Sequence, residues 1–383
     1  MEISNSEEDS FLPKNLICFS HLRWDFVYQR PQHLLTRFSK FTKVYFVEEP
    51  FFDSENPHYT MEEKGPNLFV VHPHLPPGLD EQQILEANKN LLDQFIADKP
   101  LDDVAFWYYT PMALAFSSHL HPSLTIFDCM DELSAFKFAP PQLRELERQL
   151  LEKADIVFTG GHSLYQAKKN QHHNIHPFPS SIDKAHFGKL RNETVSLQDH
   201  DHIPSPRLGF YGVIDERFDI KLIEEVATLK PDWQIVLIGP VVKIDEATLP
   251  KNKNIHYLGG KNYNELPHYL SNWDVALIPF ELNESTRFIS PTKTPEYLAA
   301  GIPVISTSIT DVIFPYKEKN LVEIADTSAQ FITSAEKLLS PDFDKGTWLS
   351  NVDDFLQNIS WDHTVEHMMS KIKKTMAVKN IHK

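Results

Sequence analysis

The chain has 383 residues, which at about 150 residues per domain gives two or three domains, each long enough to bury its own core. Its 41% hydrophobic and 23% charged residues exclude collagenous, low-complexity and disordered chains. With 37 Lys and Arg against 53 Asp and Glu, the net charge of −16 repels nucleic acid and an anionic bilayer from the molecule as a whole, leaving room only for a local basic pocket.

The amino-terminal Met1–Ser10 is acidic and lacks an apolar core, so no signal peptide is expected there. Apolar runs follow at Asn15–Ser20, Lys43–Glu48, Leu68–His72, Val104–Tyr109, Leu124–Asp128 and Asp155–Thr159. Helical patterns at Pro31–Lys40, Asp80–Ala97, Pro141–Lys153 and Ser163–Asn170 separate them. This alternation predicts parallel strands buried on both faces by crossover helices. The uncharged stretch Val104–Phe127 has the length of a membrane span, but Pro111, Pro122 and its polar residues make it strand, helix, strand. Cys18 and Cys129 lie in apolar runs, which speaks against a disulfide framework and for a reducing cytoplasm.

A polar stretch, Gly188–Pro206, predicts a boundary, with residues 1–190 as a first domain and 191–206 as a linker. Strand-like runs resume at Arg207–Tyr211, Gln234–Ile238, Ile255–Leu258, Val275–Phe280, Pro303–Thr307 and Leu321–Ile324, again alternating with helices, so 207–345 reads as a second doubly wound domain. Residues 346–383 are expected to pack back toward the first domain as helices, led by Val365, Met368, Met369 and Ile372. The fold class is α/β, with two Rossmann-like domains facing each other across a cleft lined by the carboxyl ends of their strands.

No Gly-x-Gly-x-x-Gly or P-loop arrangement occurs among the glycines, so dinucleotide oxidoreductases and P-loop enzymes lose their usual support. Gly212, Gly239 and Gly259 follow strands singly, either to let a phosphate approach the backbone or as plain turn residues. Thr294 with Pro295 can open a helix whose free N–H groups favour an anion, and Arg287 and Lys293 add charge for a diphosphate held without a metal ion. Glu296 can bridge a ribose diol, or simply sit well at a helix start.

That segment, Pro279 to Thr307, resembles the nucleotide-diphosphate-binding segment of GT-B glycosyltransferases. The wider pattern resembles a bacterial group of family-1-like glycosyltransferases through Ser20–Leu34, Asp128–Leu133, Tyr211–Arg217 and Leu258–Lys261. The resemblance implies that the glycine turn after Tyr211 faces a donor and that Arg217 reaches its phosphates; a salt bridge of Arg217 to Asp215 or Asp219 is the alternative. Many retaining members carry two glutamates separated by seven residues, whereas eight positions before Glu296 stands Phe288. Lys293-Thr-Pro-Glu-Tyr297 is closer to the Lys-x-x-Gln-Tyr form of an inverting glucuronosyltransferase family, which leaves stereochemistry open.

In the first domain Asp128, Asp131 and Glu132 cluster at a strand end, where mutual repulsion and burial suit one carboxylate to deprotonate an acceptor hydroxyl. Asp131 is the first candidate base and Asp128 the second, with loop capping as the alternative for Asp131. His21, Arg23, Trp24, Tyr28 and Arg30 after the first strand suit an acceptor sugar, or else aromatic packing. His172, His173 and His176 lack companion ligands and read as solvated histidines in a loop, so no metal is expected.

The sequence thus predicts a cytoplasmic, metal-independent hexosyltransferase-type enzyme with no cofactor, using a UDP- or GDP-type nucleotide sugar and a carbohydrate or lipid-linked acceptor in bacterial surface polysaccharide or glycolipid synthesis. No nucleic-acid partner and no transmembrane segment are expected, while peripheral membrane contact stays open. A non-hydrolysing nucleotide-sugar epimerase and a catalytically silent nucleotide-sugar-binding scaffold are the alternatives.

Overall fold

The computed structural model describes residues 12–193 and 195–381, so Met1–Ser10 lies outside the described residues. They form two compact units: unit 1 runs to Ser134 and resumes over Phe138–Phe178 and from Trp361, and unit 2 takes Ala135–Lys137 and Pro179–Ser360.

Unit 1 is built on β1 (Asn15–Phe19), β2 (Lys43–Val47), β3 (His58–Gly65), β4 (Leu68–His74), β5 (Val104–Tyr108), β6 (Leu124–Cys129), β7 (Ile156–Thr159) and β8 (Ile175–Pro177), in the order β3-β4-β2-β1-β5-β6-β7-β8. Every residue of β5 and β6 is buried, because parallel strands in the middle of such a sheet are covered on both faces. β3 departs from that pattern, pairing antiparallel with β4 while most of its residues stay exposed.

Unit 2 contains β9 (Arg207–Tyr211), β10 (Gln234–Ile238), β11 (Ile255–Tyr257), β12 (Val275–Ile278), β13 (Val304–Ser306) and β14 (Val322–Ile324), in the order β11-β10-β9-β12-β13-β14. All its pairings are parallel. Strand order reverses between β1 and β5 in unit 1 and between β9 and β12 in unit 2. Open α/β sheets bind ligands beyond the carboxyl ends of their strands at such a reversal, because the connecting loops diverge there and leave a crevice.

The division falls at Phe178, not within 191–206. Ile203 is fully buried in the unit 2 core and Leu197 packs against that core, so the polar stretch expected as a linker is tied down by its few apolar side chains, and Ile182 and Phe187 just before it are buried in the same core. The carboxy-terminal expectation divides likewise. The helix Lys345–Leu356 belongs to unit 2, burying Trp348, Val352 and Leu356, whereas the helix Trp361–Ile381 puts Trp361, Val365, Met368 and Ile372 into the unit 1 core. Among the described residues no helix is long and apolar enough to cross a membrane. Cys18 and Cys129 are both buried and free.

Candidate donor and acceptor sites

In unit 2 the chain leaves β9 through Gly212 and β10 through Gly239, both with φ in the range that favours glycine (135° and 145°). Each glycine also makes room. A Cβ at residue 212 would stand 2.3 Å from Cε and 2.7 Å from Nζ of Lys293, and one at residue 239 would stand 1.9 Å from the Gly212 carbonyl oxygen. Gly259, by contrast, faces open space and serves as a turn.

Lys293 begins the helix Lys293–Ala299, so Thr294 lies inside its first turn and Thr292 occupies the cap position without a side-chain bond. The cap expected from Thr294 is therefore absent: the helix starts two residues earlier than the Thr-Pro pair suggests. Its hydroxyl is instead fully buried, with no hydrogen-bond partner among the described residues. The Lys293 ammonium lies 5.5 and 5.6 Å from the ring centres of Phe210 and Phe280. Burial, and then the Arg217 charge, lower its pKa to about 8.

Glu296 is buried, and the Tyr211 hydroxyl donates to its Oε2. Burial raises its pKa, while the Tyr211 bond and Lys293 pull the other way. The Tyr211 backbone N–H in turn donates to the Tyr297 hydroxyl at 3.0 Å. Tyr211 ends a strand that reads only as apolar, so nothing in the sequence marks it as the residue that holds Glu296.

Arg217 is held by Asp215, its Nε 3.0 and 3.1 Å from the two carboxylate oxygens and its Nη2 2.7 Å from Oδ2. The Asp215 bridge is thus the arrangement found. The charges acting on Lys293 are those of Arg217, Glu296 and Asp215. Arg287 is exposed, with its guanidinium 5.2 Å from the Phe288 ring centre, and is not drawn into that group.

In unit 1, Asp128 and Arg30 form a buried ion pair, with Nη2 to Oδ1 at 2.8 Å and Nε to Oδ2 at 3.1 Å. Arg30 Nη1 also donates to the Phe178 carbonyl at 2.7 Å. Arg30 is therefore withdrawn from the acceptor role expected of it, and Asp128, fully buried, is withdrawn from that of a base. Asp131 is half-buried, lining a small cavity with Tyr109, Phe127, Ser134 and Glu147.

Arg23 is also committed, since its Nη1 donates to Glu48 Oε2 at 3.0 Å and its guanidinium covers the Phe51 ring at 3.9 Å. Glu48 further accepts from the Trp24 N–H at 2.7 Å, and its Oε2 lies 3.2 Å from His72 Nδ1. This buried carboxylate pins the loop, and only its place after an apolar run hinted at it. Trp24 packs edge-on against Phe46, Tyr28 is exposed beside His33, and His21 is half-buried.

His172 departs from the solvated reading: it is buried, with Nε2 3.0 Å from the Ala154 carbonyl and Nδ1 accepting from the Asn174 N–H. Among the described residues no group of three or more His, Cys, Asp or Glu is placed to hold a metal ion.

Residues 205–341 match the family model described as "Glycosyl transferases group 1". A protein of Bacillus subtilis (strain 168), TuaH, named for a glycosyltransferase of teichuronic acid biosynthesis, is 25% identical over 264 residues, covering 62% of this chain and 64% of that protein's length. Solved structures agree in fold. An α,α-trehalose 6-phosphate synthase from Burkholderia multivorans superposes with a TM-score of 0.67 at 12% identity, over 97% of this chain and 98% of that one. A sucrose-phosphate synthase from Thermosynechococcus elongatus gives 0.69 at 14% identity, over 95% of this chain and 100% of that one. The group 1 glycosyl transferase match thus falls within the second unit, and the fold of the whole chain is the GT-B fold of these synthases.

Proposed function

We propose that this protein transfers a sugar from a UDP- or GDP-type nucleotide sugar to a hydroxyl of a carbohydrate or lipid-linked acceptor, in bacterial surface polysaccharide or glycolipid synthesis on the cytoplasmic side. The observation that carries this reading is the seating of Lys293 over the bare Cα of Gly212, where strand order reverses in the group 1 domain. A cation at that point is suited to a diphosphate. Negative charge grows on the departing nucleoside diphosphate in the transition state, so a positioned ammonium lowers the barrier more than it aids ground-state binding.

Unit 2 takes the donor: Lys293 holds the phosphates, the Gly212 and Gly239 turns allow close approach, and Glu296 takes the ribose hydroxyls. Unit 1 takes the acceptor, with the loop His21–Arg30 supplying Trp24 and Tyr28. Asp131 removes the acceptor proton, because Asp128 is already paired with Arg30. No metal ion or other cofactor enters this scheme. The similarity to the teichuronic acid protein supports a surface polymer as the product's destination.

Calorimetric titration with UDP and GDP, with and without a chelator, tests the reading. Binding of one of them that survives chelation, and that weakens by about tenfold or more in Lys293→Ala, is the expected result. Failure of both to bind, or binding only with a divalent ion, overturns it.

A further inference from the structure

Glu216 is one residue from Arg217 in the loop after β9. Its two carboxylate oxygens are buried, and neither accepts a hydrogen bond among the described residues. The nearest cation is Lys243, whose Nζ stands 4.0 Å from Oε1, too far for a hydrogen bond. A carboxylate in this position is expensive, because it has given up water without gaining donors in return. Its neighbours show the contrast: Asp215, one residue earlier, accepts from both Nε and Nη2 of Arg217 and from the Arg217 backbone N–H.

Lys243 is placed with comparable cost. It lies in the loop after β10, carries a Cβ, and has φ of +63°, a left-handed conformation that residues other than glycine seldom adopt. Two adjacent loops at the carboxyl end of the unit 2 sheet therefore each carry an unfavourable feature, and the two features meet at one carboxylate. Orphaned buried polar groups and strained backbone gather where a ligand repays them.

We propose that Glu216 is a specificity residue that accepts hydrogen bonds from hydroxyls of the transferred sugar, with Lys243 balancing its charge. The proposal rests on the reading of unit 2 as a donor site. An ionised carboxylate offers acceptors only, so the ligand group it faces must carry donors. Phosphate oxygens are excluded on that ground, while the vicinal hydroxyls of a sugar fit. The nucleoside end already has a carboxylate in Glu296, which leaves the sugar as the part Glu216 reads.

The test compares Glu216→Gln with the wild-type full chain, titrating UDP against UDP-glucose and UDP-glucuronic acid, and GDP against GDP-mannose, and recording thermal melting without ligand. The expected result is that at least one nucleotide sugar binds the variant about tenfold or more weakly, while its nucleoside diphosphate binds as before. The ligand-free variant should melt at the same temperature as the wild type or higher, because the change removes a buried charge that accepts no hydrogen bond and has its nearest cation 4.0 Å away. An equal loss for nucleotide and nucleotide sugar, or no loss for either, overturns the proposal while leaving the donor site in place. A lower melting temperature with unchanged sugar-nucleotide affinity makes Glu216 purely structural and overturns it as well. A wild type that binds none of these ligands overturns the donor-site reading and this proposal together.

Discussion

The Tyr211 hydroxyl donates to the Glu296 carboxylate in the interior of unit 2, joining the last residue of β9 to the first turn of the helix Lys293–Ala299. That bond aims Glu296. If the carboxylate holds the ribose diol, a 2′-deoxynucleoside diphosphate should bind the wild type less well than the ribonucleotide, and the difference should shrink in Glu296→Gln. Calorimetry on both proteins with both ligands measures it. An equal deoxy penalty in the two proteins would mean that Glu296 serves only the helix start and the Tyr211 bond.

Lys293 gives the donor site a pH dependence. Burial and Arg217 hold its pKa at about 8, below that of a solvated lysine, so the cation is lost as pH rises through that value. A diphosphate favours the protonated form, and binding near pH 8 should take up protons. Affinity should therefore fall between pH 7 and pH 9. Lys293→Arg, which keeps its charge throughout, should flatten this profile, as titrations in buffers of differing ionisation enthalpy will show.

The two candidate bases of unit 1 should behave differently. Asp131→Asn should leave donor affinity unchanged and lower turnover by about 10²–10⁴-fold, the usual contribution of a positioned base. Asp128→Asn should act on stability, because it leaves the Arg30 guanidinium buried without its counter-charge, a change that costs about 3–5 kcal/mol. Denaturant titration and initial rates on both variants separate the roles. Normal turnover in Asp131→Asn would favour a retaining course, in which the leaving phosphate itself takes the proton.

His200 should make unit 2 sensitive to acid. It is fully buried, neither ring nitrogen has a hydrogen-bond partner among the described residues, and burial followed by the Arg207 charge pushes its pKa down to about 4. An unfolded histidine titrates near about 6.5, so the unfolded chain takes up a proton first as pH falls. The stability associated with neutral His200 is complete above that value and is lost as pH drops through about 4. The shift corresponds to about 3 kcal/mol. In urea titrations at pH 7.5, 5.5 and 4.5, His200→Leu should lose less stability than the wild type; identical losses would place the sensitivity elsewhere.

Most strands were legible because burial on both faces makes them plain apolar runs, as in Val104-Ala-Phe-Trp-Tyr108, where every side chain is buried. The hairpin strand β3 was not, since His58–Gly65 is largely exposed and its sequence carries no apolar stripe. The boundary was misplaced for a related reason: a segment poor in apolar residues still anchors itself when Ile203 is fully inside and Leu197 packs against the same core as Ile182 and Phe187 upstream. In the site, residue types and loops could be read but pairings could not. Arg30 meets Asp128 across 98 positions and Arg23 meets Glu48 across 25, and no local spacing encodes either contact. Both arginines therefore looked available for a ligand until tertiary structure consumed them. A glycine after a buried strand and a lysine beside a Thr-Pro helix signal single out Gly212 and Lys293 locally, whereas neither their contact nor the place of Lys293 as the first helical residue is written in that spacing.

The exposed strand β3 has a consequence for the behaviour of the protein in concentrated solution. The outer border of a sheet offers unpaired N–H and C=O groups to any passing chain, and a β-rich apolar border invites stacking into fibres. Here that border is formed by a strand containing the exposed Glu62 and Glu63 and the half-buried Lys64, whose ammonium is tied to both Glu62 and Asp25. A second molecule pairing with it would have to strip water from these groups and bring like charges face to face. By capping β4, the hairpin keeps the apolar strands of unit 1 out of reach of intermolecular pairing at that side of the sheet.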